Sequence, residues 1–126
     1  LTLSSAHTSL TLEALVDSGA DVNVLPYTIG LGLGLRWEEH PAGGFVLGGF
    51  ASSETKLVRL SVEIDQWAVV ELIFAWLDHD RAPLVLGTID FLMKFDVYFA
   101  AGAGYFEITQ RTNPLYSQSL GAVQTI

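Results

Sequence analysis

From Val58 to Asp65 the chain alternates without a break: Val58, Leu60, Val62 and Ile64 are apolar, while Arg59, Ser61, Glu63 and Asp65 are polar. A repeat of two puts one set on a buried face and the other in water, which predicts a half-buried β-strand. Ala14-Leu15-Val16 and Leu84-Val85-Leu86 are shorter apolar runs that stop at a polar or glycine turn. They predict buried strands. Val69 to Leu77 is a longer, aromatic-rich run of the same kind. Asp96 to Phe99 and Tyr105 to Ile108 flank Ala100-Ala101-Gly102-Ala103-Gly104, a small-residue connection that predicts a hairpin. Helix signals are few. Thr88 to Lys94 is the best, with Thr88 as the cap, Asp90 in the first turn, and Ile89, Leu92 and Met93 as an apolar stripe. Pro26 to Ile29 predicts a second short helical turn. The pattern is that of a mostly β chain.

The glycines fall into two groups. Gly30, Gly32 and Gly34 alternate with leucine, but no strand leads into them and the GxGxxG spacing is absent, so a dinucleotide loop lacks its context. Gly43-Gly44 and Gly48-Gly49 lie ahead of the strand at Leu57 and predict a mobile hairpin with a glycine tip. Beyond residue 109 the chain turns polar, with Asn113-Pro114 as a breaker. Residues 1–109 are thus expected to form the domain, and 110–126 a tail or interface arm.

Composition narrows the partners. With 126 residues, one domain is expected, and 6 basic against 14 acidic side chains give a net charge of -8. That field repels phosphate, which argues against nucleic acid and anionic membranes. The absence of cysteine removes disulfides, thiolate metal sites and cysteine nucleophiles. No stretch reaches the roughly 18 apolar residues of a spanning helix. The chain begins at Leu1 rather than Met, so a fragment or processed form is expected. A cytoplasmic location is the default, with an upstream targeting or membrane segment left open. Half of the residues are hydrophobic, a large share for a small domain, which suggests that a second subunit covers part of the surface.

Leu15-Val16-Asp17-Ser18-Gly19-Ala20-Asp21, followed by Val24-Leu25-Pro26, delivers one carboxylate from an apolar strand into a tight turn. Taken alone it is an ordinary turn, since Asp, Ser and Gly are common turn formers. Pro83-Leu84-Val85-Leu86-Gly87-Thr88-Ile89-Asp90-Phe91-Leu92 supplies a second string. In this order, and with the glycine-rich hairpin between them, the two strings resemble those of the retropepsin-like aspartic proteases. The resemblance covers roughly residues 10–109. It implies a closed β-barrel or sandwich with a flap hairpin and one short helix in the C-terminal half.

The Asp-Ser-Gly turn occurs once, so the family's second carboxylate would have to come from another copy of the chain. The resemblance therefore implies a symmetric homodimer with Asp17 as the catalytic residue and Ser18 and Gly19 supporting the turn. Two carboxylates so close share a proton: one activates water and the other donates to the scissile carbonyl, without metal or cofactor. Gly19, Ala20, Asp21, the flap residues Gly48, Gly49 and Phe50, and Val85 and Leu86 would bind an extended peptide or protein substrate. Val24 joins the apolar side-chain pockets. In this family Gly48-Gly49 fits the flap tip better than Gly43-Gly44.

The chain departs from the pattern in places. Thr88-Ile89-Asp90 stands where many viral members carry an arginine that pairs with the acid after the turn, so Asp21 lacks that expected partner. Serine at 18 keeps the hydroxyl. Asp78-His79-Asp80 and Glu38-Glu39-His40 hold metal-capable groups without a metal-site spacing, and solvated turns are expected. Trp37, Trp67 and Trp76 are expected to be core or interface anchors. The rival expectation is a catalytically weak or inactive dimer of the same fold that binds peptides as an interaction module.

Overall fold

The computed structural model describes residues 1–47, 52–64, 69–91, 95–103, 105–110 and 123–125. The chain is mostly β, in the order β1 (Thr2–Ser4), β2 (Ser9–Thr11), β3 (Leu15–Asp17), β4 (Asn23–Leu25), α1 (Tyr27–Gly32), a 3-10 turn at Trp37–Glu39, β5 (Ala42–Leu47), β6 (Ser52–Glu63), β7 (Val70–Leu77), β8 (Val85–Leu86), β9 (Phe95–Ala100), a 3-10 turn at Ala101–Ala103, β10 (Tyr105–Gln110) and β11 (Val123–Thr125).

Nine strands form one sheet in the order β11-β3-β8-β4-β7-β6-β1-β2, with β5 paired to β6 off this path. The sheet curls as a half-barrel, in keeping with the mostly β class expected from the sequence. Among the described strands, β11 and β2 stand at opposite ends of the path rather than pairing with each other. The strand β6 accounts for much of the curl: Thr55 to Val62 pairs with β7, while its other edge takes β5 at the start and β1 at the end.

The alternating pattern is realised in β6. Val58, Leu60, Val62 and Ile64 are buried, and Leu57, Arg59 and Glu63 are exposed. In β7, Leu72, Phe74 and Trp76 join the same core, but Ala75 and Leu77 are buried as well. β4 pairs with this half of β7, Asn23 opposite Phe74 and Leu25 opposite Trp76. Leu77 packs with Val24 and Val85 in a second, small apolar cluster fringed by Ala20, Val22 and Ala82.

Local chemistry sets the ends of α1. Thr28 donates both its backbone N–H (2.9 Å) and its hydroxyl (3.0 Å) to Asp80 Oδ1, so the Asp78-His79-Asp80 turn caps the helix from a distance. The helix stops at Gly34, whose φ of 77° lies in the left-handed region open to glycine. Gly30 allows close packing, because a Cβ there would overlap the Trp76 indole.

Gly43 and Gly44 lie inside β5. A register shift falls between Ala42 and Gly44, and Gly44 has φ 82°, as in a bulge that takes a glycine at its left-handed position. Leu47 pairs with Ser52, and Gly48, Gly49 and Phe50 between them lie outside the described residues, as does Trp67. The C-terminal hairpin forms with Phe95 opposite Gln110 and Ala100 opposite Tyr105. Residues 123–125 return as β11 beside β3, so this part of the expected tail is a strand of the main sheet.

The expected helix at Thr88 to Lys94 is changed in detail. Thr88 to Asp90 form a turn with helix beginning at Phe91, and Leu92, Met93 and Lys94 lie outside the described residues. Of the expected apolar stripe, Ile89 is 58% exposed, while Phe91 is buried and stacked on Phe95 at 5.0 Å.

Candidate active-site turn

The strands β3 and β4 are neighbours in sequence but not in the sheet. β8 lies between them, parallel to β3 (Val16 opposite Leu86) and antiparallel to β4 (Val24 opposite Val85). The connection 18–22 must therefore arch over the end of β8, where Gly87 sits. A Cβ on Gly87 would lie 2.5 Å from the Val22 carbonyl oxygen and 2.9 Å from that of Ala20. Only a residue without a side chain lets the arch pass so close.

Asp17 ends β3 at the start of this arch and is half-buried. Its Oδ1 accepts the Gly19 N–H at 2.8 Å, and its carbonyl accepts the Ala20 N–H at 3.1 Å, which closes the turn. These bonds fix the carboxylate's orientation through the turn that carries it. The segment after Gly87 then runs alongside the arch and donates to it repeatedly. The Thr88 hydroxyl bonds the Ser18 carbonyl (3.0 Å), the Thr88 N–H that of Ala20 (2.9 Å), and the Ile89 N–H that of Asp21 (2.9 Å). Thr88 is thus a tie between two loops rather than a helix cap.

Asn23 anchors the other end of the arch. It is fully buried, and its Oδ1 accepts the Gly87 N–H at 2.8 Å while its Nδ2 donates to the Ile73 carbonyl (3.0 Å) and to Asp90 Oδ2 (3.3 Å). Asp90 Oδ2 also accepts the Ile73 N–H at 2.6 Å. Sequence reasoning left Asn23 out and gave Asp90 only a helix-end role. A polar residue inside Val22-Asn23-Val24-Leu25 was the available signal, since a buried amide must find partners.

The other expected site residues divide. Ser18 and Ala20 are half-buried on the arch, and Gly19 and Asp21 are exposed on it. Val85 packs against Ala20, Val22 and Val24 in the small cluster directly behind the arch. Leu86 points the opposite way, with no exposed surface, into the main core with Val16 and Phe74. Its expected place in a substrate pocket is corrected to core packing, because successive residues of a strand face opposite sides. Asp21 forms no ion pair among the described residues. No group of His, Asp and Glu suited to a metal occurs among them either.

A second cluster gathers around Tyr27, at the start of α1. Trp76 is fully buried, stacks on Tyr27 (5.8 Å), meets Trp37 edge-on (5.1 Å) and His40 edge-on (5.9 Å), and donates its indole N–H to the Tyr27 carbonyl. Lys56 sits over Trp37 at 5.7 Å. This corner supports the root of the β5–β6 hairpin, where the Leu57 N–H bonds the Pro41 carbonyl.

No protein-family model, no curated protein and no solved structure matches this chain.

Proposed function

We propose that the chain is one half of a retropepsin-like aspartic endopeptidase, active as a homodimer that cuts extended peptides at apolar residues. The observation that carries this reading is the arch itself: Asp17 stands at a strand end in a turn clamped by the Gly87-Thr88-Ile89 segment. On this reading the single aspartate is half of an acid-base pair that a second copy of the chain completes. Ser18, half-buried next to Asp17, would supply its hydroxyl to the turn of the second copy.

In the dimer two Asp17 carboxylates lie close and share one proton. The ionised one takes a proton from water as its oxygen attacks the peptide carbonyl, and the protonated one donates to the carbonyl oxygen. The gem-diol then collapses as a proton passes to the amide nitrogen and the C–N bond breaks. Gly19 and Asp21, exposed on the arch, suit an extended peptide, and half-buried Ala20 and Val22, backed by Val24 and Val85, suit its apolar side chains. Residues 48–51 connect the paired ends of β5 and β6, and Gly48, Gly49 and Phe50 among them would serve as the flap.

The test is cleavage of a peptide library across pH 3–8, with the mass in solution measured alongside. Acid-favoured turnover by a dimer, blocked by pepstatin and abolished in Asp17→Asn, is expected. Full turnover by Asp17→Asn would sink the mechanism. One observation favours the rival, a peptide-binding dimer without turnover: Asp21 has no cationic partner among the described residues to fix it beside the turn. Saturable binding of library peptides with no cleavage products would select that reading.

A further inference from the structure

We infer that Asn23 is a positioning residue for Asp17, acting through Gly87, and that Asp90 completes its setting; this rests on the aspartic-peptidase reading. The arch rests Ala20 and Val22 on the small cluster of Val24, Leu77 and Val85, but that apolar contact does not orient its backbone. Its place is set by the 87–89 segment, which donates to the carbonyls of Ser18, Ala20 and Asp21. What sets that segment in turn is the Gly87 N–H, held by Asn23 Oδ1 at 2.8 Å. The amide's other end is fixed to β7 through the Ile73 carbonyl and to the following turn through Asp90 Oδ2. One side chain with no exposed surface thereby joins β4, β7, Gly87 and the turn that follows it.

Asparagine alone among the small residues offers an acceptor to Gly87 and two donor hydrogens to Ile73 and Asp90. Alanine leaves the buried Gly87 N–H without a partner. Aspartate keeps the acceptor and the shape but loses the donors, and sets a carboxylate against that of Asp90. Asp90 is the titratable group that touches Asn23 among the described residues. Arg59, opposite Ile73 in register, and Glu71 pair with each other at 3.5 Å on the solvent face.

The aspartate variant therefore carries its own switch. Burial and the neighbouring carboxylate both favour the protonated form of an aspartic acid at 23. Its O–H replaces the amide donor at acidic pH, and the clamp is lost as pH rises through that raised value. A geometric error of about 1 Å at a reacting group costs on the order of 100-fold in rate.

The experiment measures kcat, KM and thermal unfolding for the full chain, Asn23→Ala and Asn23→Asp from pH 3 to pH 7. Amide exchange at Gly87, Thr88 and Ile89 is followed in parallel. We expect Asn23→Ala to lower kcat by about 100-fold with KM within about threefold. Asn23→Asp should approach the parent kcat at the acidic end and fall away at lower pH than the parent does. Exchange at the three amides should speed up in step. Unchanged kcat in Asn23→Ala, or an Asn23→Asp deficit that stays constant with pH or leaves the protein unfolded even at pH 3, would overturn the proposal. If the parent chain cleaves nothing, the peptidase reading fails by itself. The exchange data then still decide the Asn23 clamp: pH-dependent loosening of Gly87 to Ile89 in Asn23→Asp supports it, and parent-like protection overturns it.

Discussion

Two regions at the two ends of β4 are held by different physics. The Asp17 arch is fixed by directional bonds: Thr88 and Ile89 donate to its carbonyls, and Asn23 secures Gly87 beneath it. The corner at Tyr27, Trp37 and Trp76 is fixed mainly by packed rings, with one indole hydrogen bond. Hydrogen bonds contribute modestly to net stability but define positions sharply, whereas buried aromatic area stabilises strongly and tolerates small shifts. The arch is thus built to place a carboxylate, and the corner to keep the sheet and the hairpin root together. Stability and turnover should separate along this line.

On the proposed peptidase reading, the largest effect is expected at Asp17. Asp17→Asn should reduce turnover by about 100- to 10,000-fold, the usual range for a lost acid-base group, while its unfolding midpoint barely moves. Peptide cleavage and a thermal melt on the same sample check this. Trp76→Ala should do the reverse and cost about 3–5 kcal/mol of stability, read by urea unfolding, with the surviving folded fraction still active. A Trp76→Ala protein that stayed fully stable but lost its turnover would break the comparison.

Gly87→Ala probes the boundary. Its Cβ would press on two backbone carbonyls that cannot rotate away, so a cost of about 1–3 kcal/mol should come with a loss of kcat. Destabilisation without a kcat change would mean that the arch does not depend on this approach. The smallest effect is expected for Arg59→Ala. Its pair with Glu71 is well exposed, and urea unfolding should detect about 0–1 kcal/mol with no change in cleavage.

Much of the frame was legible in the residues. The two-residue alternation of Val58 to Ile64 predicts its strand because one face must be dry and the other wet, and the hairpin of β9 and β10 follows from its small-residue connection. The helix at Thr88 was misjudged in its details because the hydroxyl that suits a cap suits the Ser18 carbonyl equally well. Leu86 was misplaced because an apolar pair in a short strand does not say which member faces inward. Asn23 was passed over because its partners, Ile73, Gly87 and Asp90, are 50 to 67 positions away.

By itself, then, the sequence determined the mostly β class, the main strands, the single Asp-Ser-Gly turn and an acidic chemistry poor in cations. These follow from local periodicity, turn propensity and charge, which neighbouring residues carry. The tertiary structure alone decided that β8 separates β3 from β4, so that the Asp17 loop must arch over Gly87 and be clamped there. It also decided that residues 123–125 join the sheet at the edge of β3, with Val123 opposite Asp17. Strand insertion and buried hydrogen bonds depend on which distant segments meet, and that is set by the packing of the whole sheet rather than by any local pattern.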